Sequence, residues 1–340
     1  DVRLVEAGAE VLKQAGQAGI AVRLVDGDDT RAGGARDGLT RGLQHGGDFH
    51  RVVAVVVDDG HPIHLGHLGK PPVHARKTCQ GLAGSYKHEA VDINTFASWG
   101  VDYLKLDSCF AEANKRLSSD DYTIYRDAIR KSGRQMILSI SDFGNGAWAW
   151  GGENIGHLWR TSYDIYPNMD SIYYCAETSA GATVTHPAFN GLGQFAGPGH
   201  WNDADMLQVG NLKNDMQNRT HFALWAMLAS PLMAGNDLRN MPNNVRDILT
   251  NRPVIAINQD ARGIQGYRVV SNNGIEVYNK PLSDGTTAIM LLNKGNKTAR
   301  ISIPWTLIGL SGKQPVYDVW ARRSLGLSDG GFTSEPLAQH

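Results

Sequence analysis

The chain has 340 residues, enough for one large α/β domain and a smaller second one. Its 33 basic and 34 acidic side chains leave a formal net charge of −1, which argues against nucleic acid or a membrane surface as the main partner, since both favour a basic excess. No run of 18 apolar residues predicts a transmembrane helix, and three cysteines without a CxxC pair exclude a disulfide-built scaffold and a zinc-finger pattern.

The opening stretch, "DVRLVEAGAEVLKQAG", has no charged-then-apolar leader, so any secretory signal is expected to lie outside this sequence. Residues 3–17 place Leu4, Ala7, Val11, Leu12 and Ala15 at helical spacing. The run "IAVRLV" reads as a strand that ends near Asp28 and Asp29. Residues 88–100 predict a helix stopped by Gly100, and "GVDYLKLDSC" (100–109) predicts a buried strand carrying Lys105 and Asp107. A helix over 120–133 and an apolar strand over 135–141 follow, the latter ending at Asp142. "LWRTSYDI" contributes Arg160 and Asp164, and "HWNDADML" contributes Asp203 and Asp205. Residues 221–238 read as an apolar helix running into a short strand broken by Pro231.

Strands alternating with helices predict βαβ units and a parallel sheet, for which a (β/α)₈ TIM barrel fits this length best. A doubly wound sheet shares the same local pattern. From about residue 266, strand-like runs separated by "SDG", "GN" and "SGK" turns predict an antiparallel β domain. The expected division is a catalytic barrel over 1–262 and a C-terminal antiparallel domain over 263–340.

Barrel chemistry sits where strands end, so acids recurring at strand ends, with Lys105 and Arg160 among them, point to one opening. A single strand-end Asp is usually a helix cap; a recurring set is a site. Sugars suit such a set, because carboxylates accept hydroxyl hydrogens while Lys and Arg donate. Lys105 and Asp107, at i and i+2 on a strand, face the same way. Glycoside hydrolysis needs two carboxyl groups, about 5–5.5 Å apart when one is a nucleophile. "HPIHLGH" spaces three histidines three apart, but it reads as a solvated loop, and no metal site is expected. Trp148 and Trp150 are candidates for stacking on a sugar face, while Trp159 and Trp201 read as packing residues and Asp237 as a partner of Arg239. Two sequons, at Asn218 and Asn296, are candidate glycosylation sites.

Taken together, "GVDYLKLDSC", "LWRTSYDI", "GHWNDADMLQVGN", "ALWAMLASPLMAGNDLR" and "VIAINQDARGIQG" resemble glycoside hydrolase family 27, the α-galactosidase and α-N-acetylgalactosaminidase family. The resemblance runs from about Lys77 to near residue 325 and implies a (β/α)₈ barrel followed by an antiparallel β-sandwich. It implies hydrolysis of terminal α-linked sugars with retention and without a cofactor, the carbohydrate substrate being the partner. By the same resemblance, Asp107 is the nucleophile and Asp164 the acid/base. Arg160 and Lys105 then contact substrate, and Cys79 bridges Cys109, which implies an oxidising, secreted setting. Cys175, the remaining cysteine, reads as a buried small apolar residue.

The departures from the family lie mainly at the start. Its first, Trp-rich strand has no counterpart, so a barrel of these residues is expected to lack that strand. Asp28 and Asp29, with Asp26 as a rival, match the family's paired Asp that holds the sugar's outer hydroxyls. Residues 40–76 do not read like the family's third strand. The loop that reads the sugar's 2-substituent carries "SDFG", with Asp142 where α-galactosidases commonly have Glu. Asp205 is a further substrate-contact candidate. Galactose is the favoured sugar. The alternatives are an α-N-acetylgalactosaminide, a β-L-arabinopyranoside, an isomaltose-type α-glucan end, or glycan binding without turnover.

Overall fold

The computed structural model describes residues 54–55, 84–108, 119–142, 146–152, 154–180 and 191–340. The chain divides into two compact units between Tyr163 and Asp164.

The first unit contains β1 (Ala54–Val55), α1 (Glu89–Ser98), β2 (Tyr103–Asp107), α2 (Ser119–Lys131), β3 (Ile137–Ser141) and β4 (Leu158–Arg160). The helix α1 buries Ile93 and Phe96, three residues apart on one face, and stops where Gly100 adopts φ 79°. That left-handed turn lets Gly100 N reach Ala97 O and Val101 N reach Phe96 O, closing two orphan carbonyls at the helix end. In α2, Tyr122, Tyr125, Ala128 and Ile129 form the buried face. Asp120 and Asp121 open it and Arg130 and Lys131 close it, which suits the helix dipole. Arg134 ties the next connection back, donating to Val101 O at 2.8 Å and to Gly100 O at 2.7 Å. The four strands lie side by side in chain order, every pairing parallel, as the alternation of elements predicts. Leu104, Leu106, Leu138, Ile140 and Trp159 are buried, so the sheet is covered as a parallel sheet must be.

The second unit contains α3 (Met169–Ala180), β5 (Trp201–Asp203), α4 (Asp215–Leu228), α5 (Asn243–Leu249), α6 (Arg252–Asn258) and the strands β6–β12. Asn214 caps α4, its side chain accepting from Gln217 N, and Ala229 ends it in the left-handed region at φ 52°. Three carbonyls in the last turn of α4 are claimed from outside. Trp225 O receives Asn258 Nδ2 at 3.1 Å, Ala226 O receives Lys280 Nζ at 3.0 Å, and Met227 O receives Gly266 N at 2.7 Å. The helix is thereby locked onto α6 and onto the strand that carries Lys280.

One expectation is corrected here. The short strand expected to be broken by Pro231 is reduced to an isolated parallel bridge, in which Leu207 N donates to Met233 O and Gly235 N to Leu207 O. Pro231 has no N–H to give a ladder, so pairing starts late and ends at once.

The antiparallel domain begins where the turn chemistry places it. Strands β6 (Tyr267–Asn272), β7 (Ile275–Pro281) and β8 (Thr287–Asn293) form one antiparallel sheet. Asn273 and Gly274, both at positive φ, make the two-residue hairpin that joins β6 to β7. β9 (Ser302–Pro304) pairs with β12 (Gly331–Thr333), and β10 (Lys313–Asp318) with β11 (Arg323–Asp329). Val277, Ile301, Ile303 and Trp305 form the buried core of this domain.

Candidate active site

The first group of site residues stands at the C-terminal ends of β2, β3 and β4. Lys105 and Asp107 share one face of β2 because they are two residues apart. The parallel register sets Lys105 beside Ser139 and Asp107 beside Ser141, while Ser139 faces Leu158 on β4. Arg160, two residues beyond Leu158, therefore belongs to the same face. Lys105 is only 7% exposed and Arg160 only 2%, so two cationic side chains are held within the sheet's covered end. Asp107 is half-buried, and Ser141 Oγ donates to its Oδ2 at 3.2 Å. Arg160 Nη2 donates to Ser162 O at 3.3 Å, which fixes the guanidinium.

Asp142, directly after β3, is buried as well. Tyr122 comes up from α2 beneath these acids. Burial first, then Asp142 and Asp107, push its pKa well above the ordinary tyrosine value, so it stays a neutral hydroxyl. That hydroxyl donates to Leu106 O at 3.4 Å. Trp150, one of the two sugar-stacking candidates, packs against the Tyr122 ring with centroids 5.6 Å apart. Trp148 is half-buried, and Trp159 is a core residue as expected.

The second group belongs to the second unit. Asp164 is exposed at its beginning, and the next residue, Ile165, is buried. Ile165 N donates to Asp205 Oδ2 at 2.8 Å. Asp205 itself stands at φ 84°, a conformation that costs a non-glycine residue roughly 1–3 kcal/mol and needs support from its surroundings. Its N–H donates to Asp203 Oδ1 at 2.9 Å, its Oδ1 accepts from Met206 N at 2.7 Å, and its carbonyl accepts from Trp225 Nε1 at 2.7 Å. Further along the same loop, Gln208 N donates to His221 Nε2 at 2.8 Å and Gly210 N to Asn218 Oδ1 at 2.9 Å. His221 is fully buried, edge-on to Trp225 at 4.1 Å, and burial lowers its pKa to about 3. The ring is therefore neutral, and because Nε2 accepts, its proton is on Nδ1.

The glycosylation expectation at Asn218 is corrected by these bonds. Its side chain is 3% exposed on the inner face of α4 and engaged with Gly210, whereas a glycan needs a side chain presented to solvent. Asn296 is exposed. Asp28, Asp29, Cys79, Cys109 and the "HPIHLGH" histidines lie outside the described residues. Asp237 bonds Arg239 as expected, at 3.0 Å to Nε and 2.9 Å to Nη2. Sequence reasoning missed Ser141, Tyr122 and the Asn218–His221–Trp225 series. Two polar residues on the buried face of the apolar stretch "NRTHFALW" were the available signal.

Comparison with known proteins agrees with this layout. A family model described as α-galactosidase A matches residues 2–260, and one described as the α-galactosidase C-terminal β-sandwich domain matches residues 272–340. α-Galactosidase A of Cellvibrio japonicus is 44% identical over 231 residues, which cover 67% of this chain and 56% of that protein. An α-galactosidase of Oryza sativa is 34% identical over 342 residues, covering 99% of this chain and 78% of its own length. The crystal structure of α-galactosidase I from Mortierella vinacea superposes with a TM-score of 0.70 at 30% identity, over 78% of this chain and 72% of that one. The chain thus spans little more than half of the bacterial relative. With both family models matched in order, the chain belongs to the α-galactosidase family, glycoside hydrolase family 27, and its fold class is a TIM barrel followed by a C-terminal antiparallel β-sandwich.

Proposed function

We propose that this chain is a retaining exo-glycosidase that releases terminal α-linked galactose from oligosaccharides or glycans by double displacement. In this reading Asp107 attacks the anomeric carbon while protonated Asp164 gives its proton to the leaving oxygen. The covalent glycosyl–Asp107 ester is then cleaved by water that Asp164 deprotonates, and the anomeric configuration is retained. Lys105 and Arg160 donate to sugar hydroxyls, Asp142 accepts from the 2-hydroxyl, and Asp28, Asp29 and Asp205 complete the hold on the sugar. The barrel over 1–262 supplies these groups, and the domain over 263–340 supports it. A Cys79–Cys109 disulfide, secretion and glycosylation at Asn296 belong to the same reading.

The observation that carries it is the common face of β2, β3 and β4. Lys105, Asp107, Ser141 and Arg160 converge there at strand ends, and the Asp107 carboxylate accepts a hydrogen bond from Ser141. A cation on the same face as a carboxylate favours the charged nucleophile that the first step needs. The test is hydrolysis of nitrophenyl α-galactoside, α-N-acetylgalactosaminide, β-L-arabinopyranoside and α-glucoside by the parent protein, Asp107→Ala and Asp164→Ala. Fastest turnover of the α-galactoside, abolished in Asp107→Ala, is expected. Preference for another glycoside moves the substrate to one that suits the shorter Asp142. No turnover of any glycoside refutes catalysis.

A further inference from the structure

We propose that His221, together with Asn218 and Trp225, is a positioning residue for the proton-transfer step, acting on Asp164 through the loop 205–210. The inference rests on the reading of Asp164 as acid/base and adds a set of residues to it. Asn218, His221 and Trp225 are spaced i, i+3 and i+7, so they form one stripe along α4. Each side chain bonds a different backbone group of the loop: Asn218 Oδ1 accepts from Gly210 N, His221 Nε2 accepts from Gln208 N, and Trp225 Nε1 donates to Asp205 O. The loop is thereby pinned at three points to a helix whose own end is locked by Asn258, Lys280 and Gly266. At the near end of the loop, the strained Asp205 turns its carboxylate onto Ile165 N, one residue from Asp164.

The imidazole itself argues for this role. Among the described residues His221 Nδ1 has no hydrogen-bond partner, and leaving a buried donor unmet costs about 1–3 kcal/mol. On packing grounds alone an aliphatic side chain would suit the position better. What an aliphatic residue cannot do is accept the Gln208 N–H. The T-shaped contact with Trp225 fixes the ring plane so that Nε2 aims at that donor.

A residue that only stabilises the fold lowers turnover of all substrates alike. One that positions the general acid matters most where the leaving group needs a proton. The test measures kcat/KM for dinitrophenyl α-galactoside, whose leaving group departs unaided, and for melibiose, whose leaving sugar requires protonation. His221→Leu is expected to lose about 10²-fold on melibiose, as misplaced general acids do, and no more than about threefold on the dinitrophenyl substrate. His221→Gln, whose Oε1 can accept the Gln208 N–H, is expected to recover most of the melibiose activity. Should His221→Leu not fold, Trp225→Phe keeps an aromatic ring beside His221, removes the bond to Asp205 O, and is expected to give the same split. Equal losses on both substrates, or no loss on either, overturn the inference while leaving the parent's activity intact. A parent inactive on both substrates refutes the α-galactosidase reading, and the inference with it.

Discussion

Asp205 Oδ2 accepts the backbone N–H of Ile165 at 2.8 Å, which ties a strained loop residue to the residue next to the proposed acid/base, Asp164. Its other oxygen holds Met206 N, so the carboxylate organises two chain segments at once. Asp205→Asn replaces one acceptor oxygen with a donor that must face an N–H. Expected are a kcat/KM on melibiose reduced at least 10²-fold and a loss of stability of about 1–2 kcal/mol in urea. An Asn variant within a factor of three of the parent would contradict the role given to this carboxylate.

Ser141 Oγ donates to Asp107 Oδ2. Removing a hydrogen bond to a charged group typically costs about 1.5–3 kcal/mol, and at 3.2 Å the lower end applies. Ser141→Ala is therefore expected to lower kcat/KM by roughly tenfold while the melting temperature stays close to the parent's. Steady-state kinetics and thermal melting measured together check this.

Acid sensitivity follows from His221. Burial lowers its folded pKa to about 3, whereas an unfolded histidine titrates near 6.5. Between those values the unfolded chain binds a proton that the native chain does not. The stabilisation is present in full above about pH 6.5 and is lost as pH falls, by about 1.4 kcal/mol per pH unit. His157 and His340, both also lowered by burial, add in the same direction. Urea unfolding between pH 6.5 and 4 should show a shallower slope in His221→Gln than in the parent. An unchanged slope would mean that the ring takes up a proton in the folded state.

Lys280 predicts the opposite limb. Its side chain is fully buried, and desolvation lowers its pKa to about 7, with Asp260 opposing the shift. An unfolded lysine keeps its proton to about pH 10.4, so the unfolded chain again binds more protons, now between 7 and 10.4. Stability from this group therefore rises with pH across that window and is lowest below pH 7. Lys280→Met should flatten that rise, at a cost of about 1 kcal/mol for the lost bond to Ala226 O. Urea unfolding at pH 7, 8.5 and 10 measures it, and a rise of equal steepness in both proteins would contradict the assignment.

Much of this was legible in the sequence where a single pattern carried the information. The helices α1 and α2 follow their apolar spacing and stop at Gly100 and at Gly133, which stands at φ 73°. The face shared by Lys105 and Asp107 follows from period two alone. The "SDG" turn, with Gly285 at φ 85°, joins β7 to β8 in the antiparallel domain, as the sequence places it. What stayed hidden depends on burial, to which a motif is blind. Asn218 matches a sequon, yet helix α4 starts at Asp215, upstream of the apolar run from His221, because Asn214 caps it. That extra turn rotates Asn218 inward beside His221. The short strand broken by Pro231 shrank to a single bridge, for a local reason, a missing N–H. The Ser141–Asp107 bond required the register of β2 against β3, which sequence does not give.

The central claim is that Asp107 forms a covalent bond to the sugar. Incubation with a 2-deoxy-2-fluoro α-galactosyl fluoride, which slows the second displacement, followed by proteolysis and peptide mass spectrometry, tests it directly. One added fluorogalactosyl group on the peptide containing Asp107, absent in Asp107→Ala, is the predicted result. A label on any other residue, or a parent that hydrolyses α-galactosides with inversion and never acquires the label, would contradict it.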